Sequence, residues 1–367
     1  MSFLRGIDHS DQNLLPTEHF ERDSLKLIEL SPEMARELSS EMQSLIIRGT
    51  ADDNVVIVNR NQTFKVNLLE TSNTLLLLRP SALDTKLHEV EAAPNHHLEL
   101  VEAVPDMQPL VNKLSQNCID ADHLDVFYSE PGTTNPPGVS IRELLDMVQA
   151  SDEEIEKELT RRRAIEVQGY WFSLDMRLIN IVLSEIIDIV QACSMSMERL
   201  SFLEIATELS DAYPSLLVRH VLSCFSKTAI EANDAVFCLD ERLLSRQIAI
   251  RILLEHPKIP YVEFMERWRM ELPGLLQADE AYLKGLAYLD ESSFQKNLVY
   301  IPIEKLALEP KARFNFLFGI RTKWPVDDML AFIEDLIAIG HSSETIIMRH
   351  TKTVQKGQIY VAKTVPR

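Results

Sequence analysis

The chain has 367 residues, room for roughly two to four domains, and its 46% hydrophobic and 25% charged content is that of a folded water-soluble protein rather than a disordered one. A formal net charge of −19 excludes a protein that coats nucleic acid with its whole surface, because like charge repels the phosphates. Cys118, Cys193, Cys224 and Cys238 are too scattered for a disulfide framework or a zinc ribbon. The residues Met1–Asp8 lack the apolar core of a signal peptide, and no run approaches the roughly 18 apolar residues of a spanning helix, so an intracellular protein away from membranes is expected.

In chain order, short extended apolar runs come first: 25–30, 45–48, 55–59, 64–69, 75–78 and 98–104, with a helix over Pro32–Met42 after the first. Phe64, Val66 and Leu68 alternate with Lys65 and Asn67, the pattern of a half-buried strand, and Asn59-Arg60-Asn61 suits a hairpin turn before it. Val55–Val58 and Leu75–Leu78 are apolar at consecutive positions, hence on both faces, and a small sheet offers little to cover them. A partner that supplies the missing layer or pairs an open edge is expected; the alternative cover is the segment's own helices, including 107–114. The stretch Ser129–Gly138, rich in Pro and Gly, reads as a linker and closes a β-rich, barrel-like domain over residues 1–135.

Beyond it the apolar spacing becomes three and four, the period of helices. Ile141–Leu174 gives two helices and a β-wing ending Gly169-Tyr170-Trp171-Phe172, a partial module. Asp175–Asp240 gives three helices and the extended Ala235–Leu239, and Glu241–Ile303 gives three helices and strands at 286–290 and 297–301. The last module has helices over 311–321, 325–339 and 343–350, then strands at 351–354 and 358–362 across a Lys356-Gly357 turn. Three helices followed by a wing is the order of a winged helix, a module that binds DNA or protein. The fold class is therefore α+β, an N-terminal β-barrel-like domain followed by tandem winged helices over 139–240 (with the partial module), 241–305 and 306–367.

Chemistry is sparse. No phosphate loop, dinucleotide fingerprint, His-Glu-x-x-His or nucleophile elbow occurs, so no enzyme, cofactor or metal is expected. His96-His97 reads as a loop pair, and His220 as a satisfied helix histidine. Arg161-Arg162-Arg163 closes an acidic helix and complements its dipole. Between His341 and Arg367 the cations Arg349, Lys352, Lys356, Lys363 and Arg367 face one acid, Glu344, which marks the last helix and wing as the place for weak, backbone-directed DNA contact.

The run Leu144–Ile155, the Gly169-Tyr170-Trp171 after it, Arg313-Phe314-Asn315-Phe316-Leu317-Phe318 with Lys323-Trp324, and upstream Leu45-Ile46-Ile47-Arg48-Gly49 and Thr71-Ser72-Asn73-Thr74-Leu75-Leu76-Leu77 resemble the Dcc family. That family is the sister-chromatid-cohesion subunit of the alternative replication factor C clamp loader, and the resemblance runs from about Leu25 to Tyr360. It implies a non-catalytic nuclear subunit. Its N-terminal domain would join the C-terminal tail of the clamp-loader large subunit and a second small accessory subunit, with Leu45, Ile46, Ile47, Thr71, Ser72, Leu75 and Leu77 as interface candidates. Its winged helices would meet the catalytic subunit of DNA polymerase epsilon and DNA, serving the sliding clamp indirectly by loading or unloading it. The competing expectation is a winged-helix scaffold subunit of a proteasome-lid or cullin-type complex, which would carry a helical-hairpin solenoid in place of the β-rich domain.

Overall fold

The structure, a computed structural model, describes residues 13–362 except 19, 23–24, 41–43, 50–53, 81–86, 131–132, 135, 230–235, 275, 292–293, 339–342 and 355–358. The chain divides into two compact units, one of residues 1–103 with 149–153, the other of residues 104–148 with 154–367. The fold is mixed, with thirteen α-helices among the described residues and several sheets, one curled into half a barrel.

In the first unit, strands β1 (Asn13–Pro16) and β2 (Leu27–Glu29) precede helix α1 (Pro32–Ser39). Ser31 sets the start of α1 by accepting the Met34 amide, and Pro32 suits the first turn because its missing N–H needs no partner there. Strands β3 (Ile46–Arg48), β4 (Val56–Val58), β5 (Thr63–Glu70), β6 (Leu77–Pro80), β7 (Leu87–Ala92) and β8 (His96–Ala103) follow. They form a five-stranded sheet, β2-β8-β5-β4-β3, and a three-stranded one, β1-β7-β6. The β4–β5 turn is built by the Asn59 side-chain carbonyl, which accepts the amides of Asn61 (3.0 Å) and Gln62 (2.7 Å).

Cover for β4 comes from the chain itself. Val56, Ile57 and Val58 are all buried, so this run needs no partner, contrary to the expectation from its sequence. The segment 149–153 is pinned at this end of the sheet: Arg48 donates to the Ala150 carbonyl and the Asp152 carboxylate, the Ser151 amide to Thr63 Oγ1, and Gln149 to the Asn54 carbonyl. Ala150 and Ser151 are fully buried, which gives the family-like run around Ala150 a structural reason.

The second unit repeats one topology four times. The first repeat has α2 (Gln108–Gln116), β9 (Cys118–Ile119), β10 (Val139–Ser140), α3 (Ile141–Met147), α4 (Asp152–Arg161), β11 (Ile165–Val167) and β12 (Tyr170–Leu174). Next come α5 (Met176–Ala192), β13 (Leu200–Ser201), α6 (Phe202–Glu208), α7 (Ser215–Cys224), β14 (Ser226–Ala229) and β15 (Val236–Leu239). The third has α8 (Glu241–Glu255), β16 (Lys258–Pro260), α9 (Tyr261–Glu271), a 3-10 turn at Glu280–Leu283, β17 (Ala287–Asp290) and β18 (Asn297–Tyr300). The last has α10 (Pro310–Ile320), β19 (Lys323–Pro325), α11 (Val326–Ala331), α12 (Glu334–Ala338), α13 (Ser343–His350), β20 (Thr351–Val354) and β21 (Ile359–Ala362). In every repeat the last strand lies between the strand before the second helix and the penultimate one: β10-β12-β11, β13-β15-β14, β16-β18-β17 and β19-β21-β20. The part-module read from the sequence is thus joined by α2 and β10 into the same plan as its neighbours.

Two aspartates join consecutive repeats. The last strand ends, and Asp175 or Asp240 then caps the next helix by accepting the Arg177 amide or those of Arg242 and Leu243. The first two repeats share one apolar core from Ile119 to Leu244; the third closes on Trp268 and the fourth on Trp324.

Arg313 lies in the core of the last repeat, fully buried, and pairs bidentately with Asp335 at 2.8 and 2.9 Å while donating to the carbonyls of Ala307 and Phe332. Its hold on the Phe332 carbonyl explains why the sequence reads one helix over 325–339 and the structure has two. The Leu336 amide bonds the Ile333 carbonyl instead, and the ladder breaks there. Asp335 also lies 3.7 Å from Arg161, which with Arg162 pairs to Glu158, a carboxylate sunk in the first repeat. Burial alone would raise the Asp335 pKa, but hydrogen bonds and charge from Arg313, with the charge of Arg161, hold it below the ordinary carboxylate value. Asp335→Ala, which strands a buried guanidinium, is expected to cost about 3–5 kcal/mol in denaturant unfolding, whereas Arg313→Met with Asp335→Leu should cost much less. Equal losses would show that the pair acts through packing alone.

Candidate subunit and nucleic-acid interfaces

The first unit buries its sheet at one end only. Thr63 and Phe64 at the start of β5 are buried, but further along Leu68 is 60% and Leu69 38% exposed. Successive strand residues point to opposite faces, so this end of β5 is exposed on both sides, beside half-buried residues of β8. Leu68 stands opposite Leu98 of β8, and Leu69 opposite His97. The alternation of Phe64, Val66 and Leu68 therefore gives the face correctly and its cover only in part. Edge strand β3 shows the same two-sided exposure: Ile46 pairs with buried Val58 and Ile47 with buried Ile57, yet both isoleucines are exposed, Ile47 at 69%.

The sequence candidates fall on two sheets. Leu45, half-buried, leads into β3 with Ile46 and Ile47. Leu75, exposed, and Leu77, half-buried, belong to the approach to β6 and to β6 itself. Thr71 and Ser72 lie in the connection between β5 and β6, where the Thr71 amide donates to the Asn95 carbonyl at 2.9 Å and its hydroxyl accepts the Asn73 amide; Ser72 is exposed. Leu68, Leu69 and Val101 extend the exposed apolar surface and were missed, because a strand's period reports which face a residue takes and not whether that face is covered.

At the other end of the chain, Arg349 is exposed in the last turn of α13 and Lys352 on β20. Lys352 and Lys323 stand on either side of Val361 in β21, one row from Trp324, Tyr360 and Thr353. Trp324 and Tyr360 face the core, so alternation puts Lys323 and Lys352 together on the outer face of the sheet. Lys323 was not among the sequence candidates; only the antiparallel register brings it beside Lys352. Lys356, Lys363 and Arg367 lie outside the described residues.

The three histidines singled out in the sequence, His96, His97 and His220, have structural partners. His96 and His97 open strand β8 rather than lying in a loop, with His96 near Lys26 Nζ at 3.0 Å and His97 near Glu29 at 3.3 Å. His220 Nε2 lies 3.0 Å from the Arg163 carbonyl and 3.4 Å from Cys224 Sγ. Among the described residues no cluster of His, Cys, Asp and Glu could hold a metal, and no helix is long and apolar enough to cross a membrane. Burial, opposed by the bond to the Arg163 carbonyl, pushes His220 below the usual histidine pKa. A base whose folded pKa lies below its unfolded value stabilises the fold above the unfolded pKa, about 6.5, and loses that contribution as pH falls through the folded one. Melting temperature should accordingly drop as pH is lowered from about 6.5, and His220→Gln should flatten that slope; parallel slopes would place the pH sensitivity elsewhere.

The family model described as "Sister chromatid cohesion protein Dcc1" matches residues 25–333. The chain is 27% identical over 347 residues to "Sister chromatid cohesion protein DCC1" of Danio rerio, covering 91% of this chain and 88% of that protein. It is 26% identical over 350 residues to the Homo sapiens protein of the same name, covering 91% and 87%. The Saccharomyces cerevisiae protein of that name is 21% identical over 366 residues, covering 91% and 95%.

Proposed function

The chain belongs to the Dcc1 family of sister chromatid cohesion proteins, and on that premise we propose that it is a non-catalytic accessory subunit of an alternative replication factor C clamp loader. The first unit is its assembly domain: its sheets join the C-terminal tail of the large subunit and a second small accessory subunit in a shared barrel. The four repeats, which we read as winged helices over 104–174, 175–240, 241–305 and 306–367, face the nuclear replication fork, where they meet DNA polymerase epsilon and DNA. The observation that carries the reading is the two-sided exposure of Leu68 and Leu69, since adjacent leucines on opposite faces of a strand ask for cover on both sides. The competing scaffold role calls for a helical-hairpin solenoid, and the β-sheets of the first unit speak against it.

Leu68→Asp and Leu69→Asp test the assembly role. Both positions are exposed, so each variant should keep its unfolding free energy within about 0.5 kcal/mol. Each should lose copurification with the clamp-loader large subunit, because a carboxylate would be buried without a partner. Retained copurification by both variants would remove these faces from the interface.

For DNA, Lys323→Glu with Lys352→Glu should weaken binding and make the dependence of log K on log salt shallower by about one per lysine. An unchanged slope would put the phosphate contacts on another surface.

A further inference from the structure

A cleft of about 300 Å³ opens between the second and third repeats of the second unit, lined by the C-terminal half of α5, by α8 and by the end of α9. Ile187 and Ile248 supply its buried apolar lining, with Leu272 and Pro273 just after α9. Met270, in the last turn of α9, lines it too and is 84% exposed, so a long apolar side chain that adapts its shape readily stands at the mouth. The charges in the cleft do not cancel. Arg251 donates to Ser184 Oγ at 2.7 Å and to Glu271 at 3.0 Å, and Glu271 also accepts from Arg267, which pairs with Glu255. Two arginines and two glutamates balance within that network. Asp188 lies one turn beyond Ser184 on the same face of α5, and Gln191 one turn further. Among the described residues, neither the Asp188 carboxylate nor the Gln191 amide has a hydrogen-bond or ion-pair partner. The cleft therefore holds one unspent negative charge and one unspent side-chain carbonyl beside apolar walls.

We propose that this cleft receives a lysine side chain from a peptide segment of a partner protein. Lysine matches both halves of the lining, because its four-carbon stem covers apolar surface while the ammonium stays at the wet rim. The stem would lie along Ile187, Ile248 and Met270, and the ammonium would meet Asp188 and the Gln191 carbonyl, two acceptors one turn apart. Volume favours a side chain carried on a peptide, since a small free cation would leave most of the 300 Å³, and the exposed Met270, unfilled. Charge disfavours an acidic segment, because Arg251, the cation in the lining, is already paired to Glu271. The site is separate from the outer face of the terminal sheet and independent of the clamp-loader reading.

The test is methyl NMR of the full chain labelled at methionine, with the Met270 signal identified by its loss in Met270→Leu. The chain is titrated with blocked tripeptides that place lysine, norleucine or glutamate between two leucines, and with butylammonium. The lysine peptide should shift the Met270 methyl saturably and bind about fivefold more tightly than the norleucine peptide, the upper end of what an ion pair at a wet surface gives. Asp188→Asn, an exposed change that leaves the melting temperature in place, should bring the lysine peptide to the norleucine level, and Asp188→Lys should turn the preference to the glutamate peptide. Equal binding of the lysine and norleucine peptides by the wild type overturns the proposal, as does an Asp188→Asn variant that keeps the wild-type preference. Tighter binding of the glutamate peptide to the wild type would make Arg251 the recognising group and overturn it. Butylammonium binding as tightly as the lysine peptide would make the cleft a small-cation site and overturn it equally.

Discussion

A β-sheet has two faces, and each must be covered by protein or accept water. The first unit covers both faces around β4, where Val56, Ile57 and Val58 are all buried, and leaves the far half of β5 bare on both. Covering the exposed parts of Leu68 and Leu69, 60% and 38% of each residue, would return a matching fraction of the roughly 1.5–3 kcal/mol that full burial of a leucine gives. A sheet with a packed end and an unpacked end therefore keeps a native register from its own core while holding apolar surface in reserve. That division of labour is the one the proposed assembly role calls for: enough structure to present strands, with apolar surface left for a partner to cover.

The second unit solves a different problem, how to make small repeats behave as one body. Direct strand-to-helix joints capped by Asp175 and Asp240 leave little slack between neighbours. Buried polar links then tie repeats distant in sequence. Glu158, Arg161, Asp335 and Arg313 connect the first to the fourth, and Arg163, Gln247 and Asn180 connect the first, third and second. Misplacing a repeat would strand a buried charge or amide, so these contacts favour one arrangement over sliding alternatives more than they add stability. Gly285 adds a steric demand at a similar joint: at φ +70°, a Cβ there would lie 2.5 Å from the Ala331 carbonyl oxygen of the last repeat.

Much of this was legible in the residues. The helix at Ser343–His350 and the strand at Thr351–Val354 follow from apolar spacing, as do the cores of α5 and α8. The strands opening each sheet, such as Leu200–Ser201 and Lys258–Pro260, were not, because two or three residues are too few for alternation to register. Long-range pairing was also hidden. Neither the return of residues 149–153 to the first unit nor the meeting of Lys323 and Lys352 leaves a local trace. The basic run Arg161–Arg163, read as a dipole complement, does place Arg161 in the last turn of its helix, and it also links the repeats, a role visible only once Glu158, Asp335 and Gln247 are seen around it.

Hydrogen exchange of the full chain, alone and bound to the large-subunit tail with the second accessory subunit, tests the central claim directly. Binding should slow exchange in β3, in the distal half of β5 and in the part of β8 that faces it, and leave the buried helix α5 unchanged. Unaltered exchange in those strands on binding would mean that the exposed leucines serve no such partner, and the assembly role of the first unit would fall.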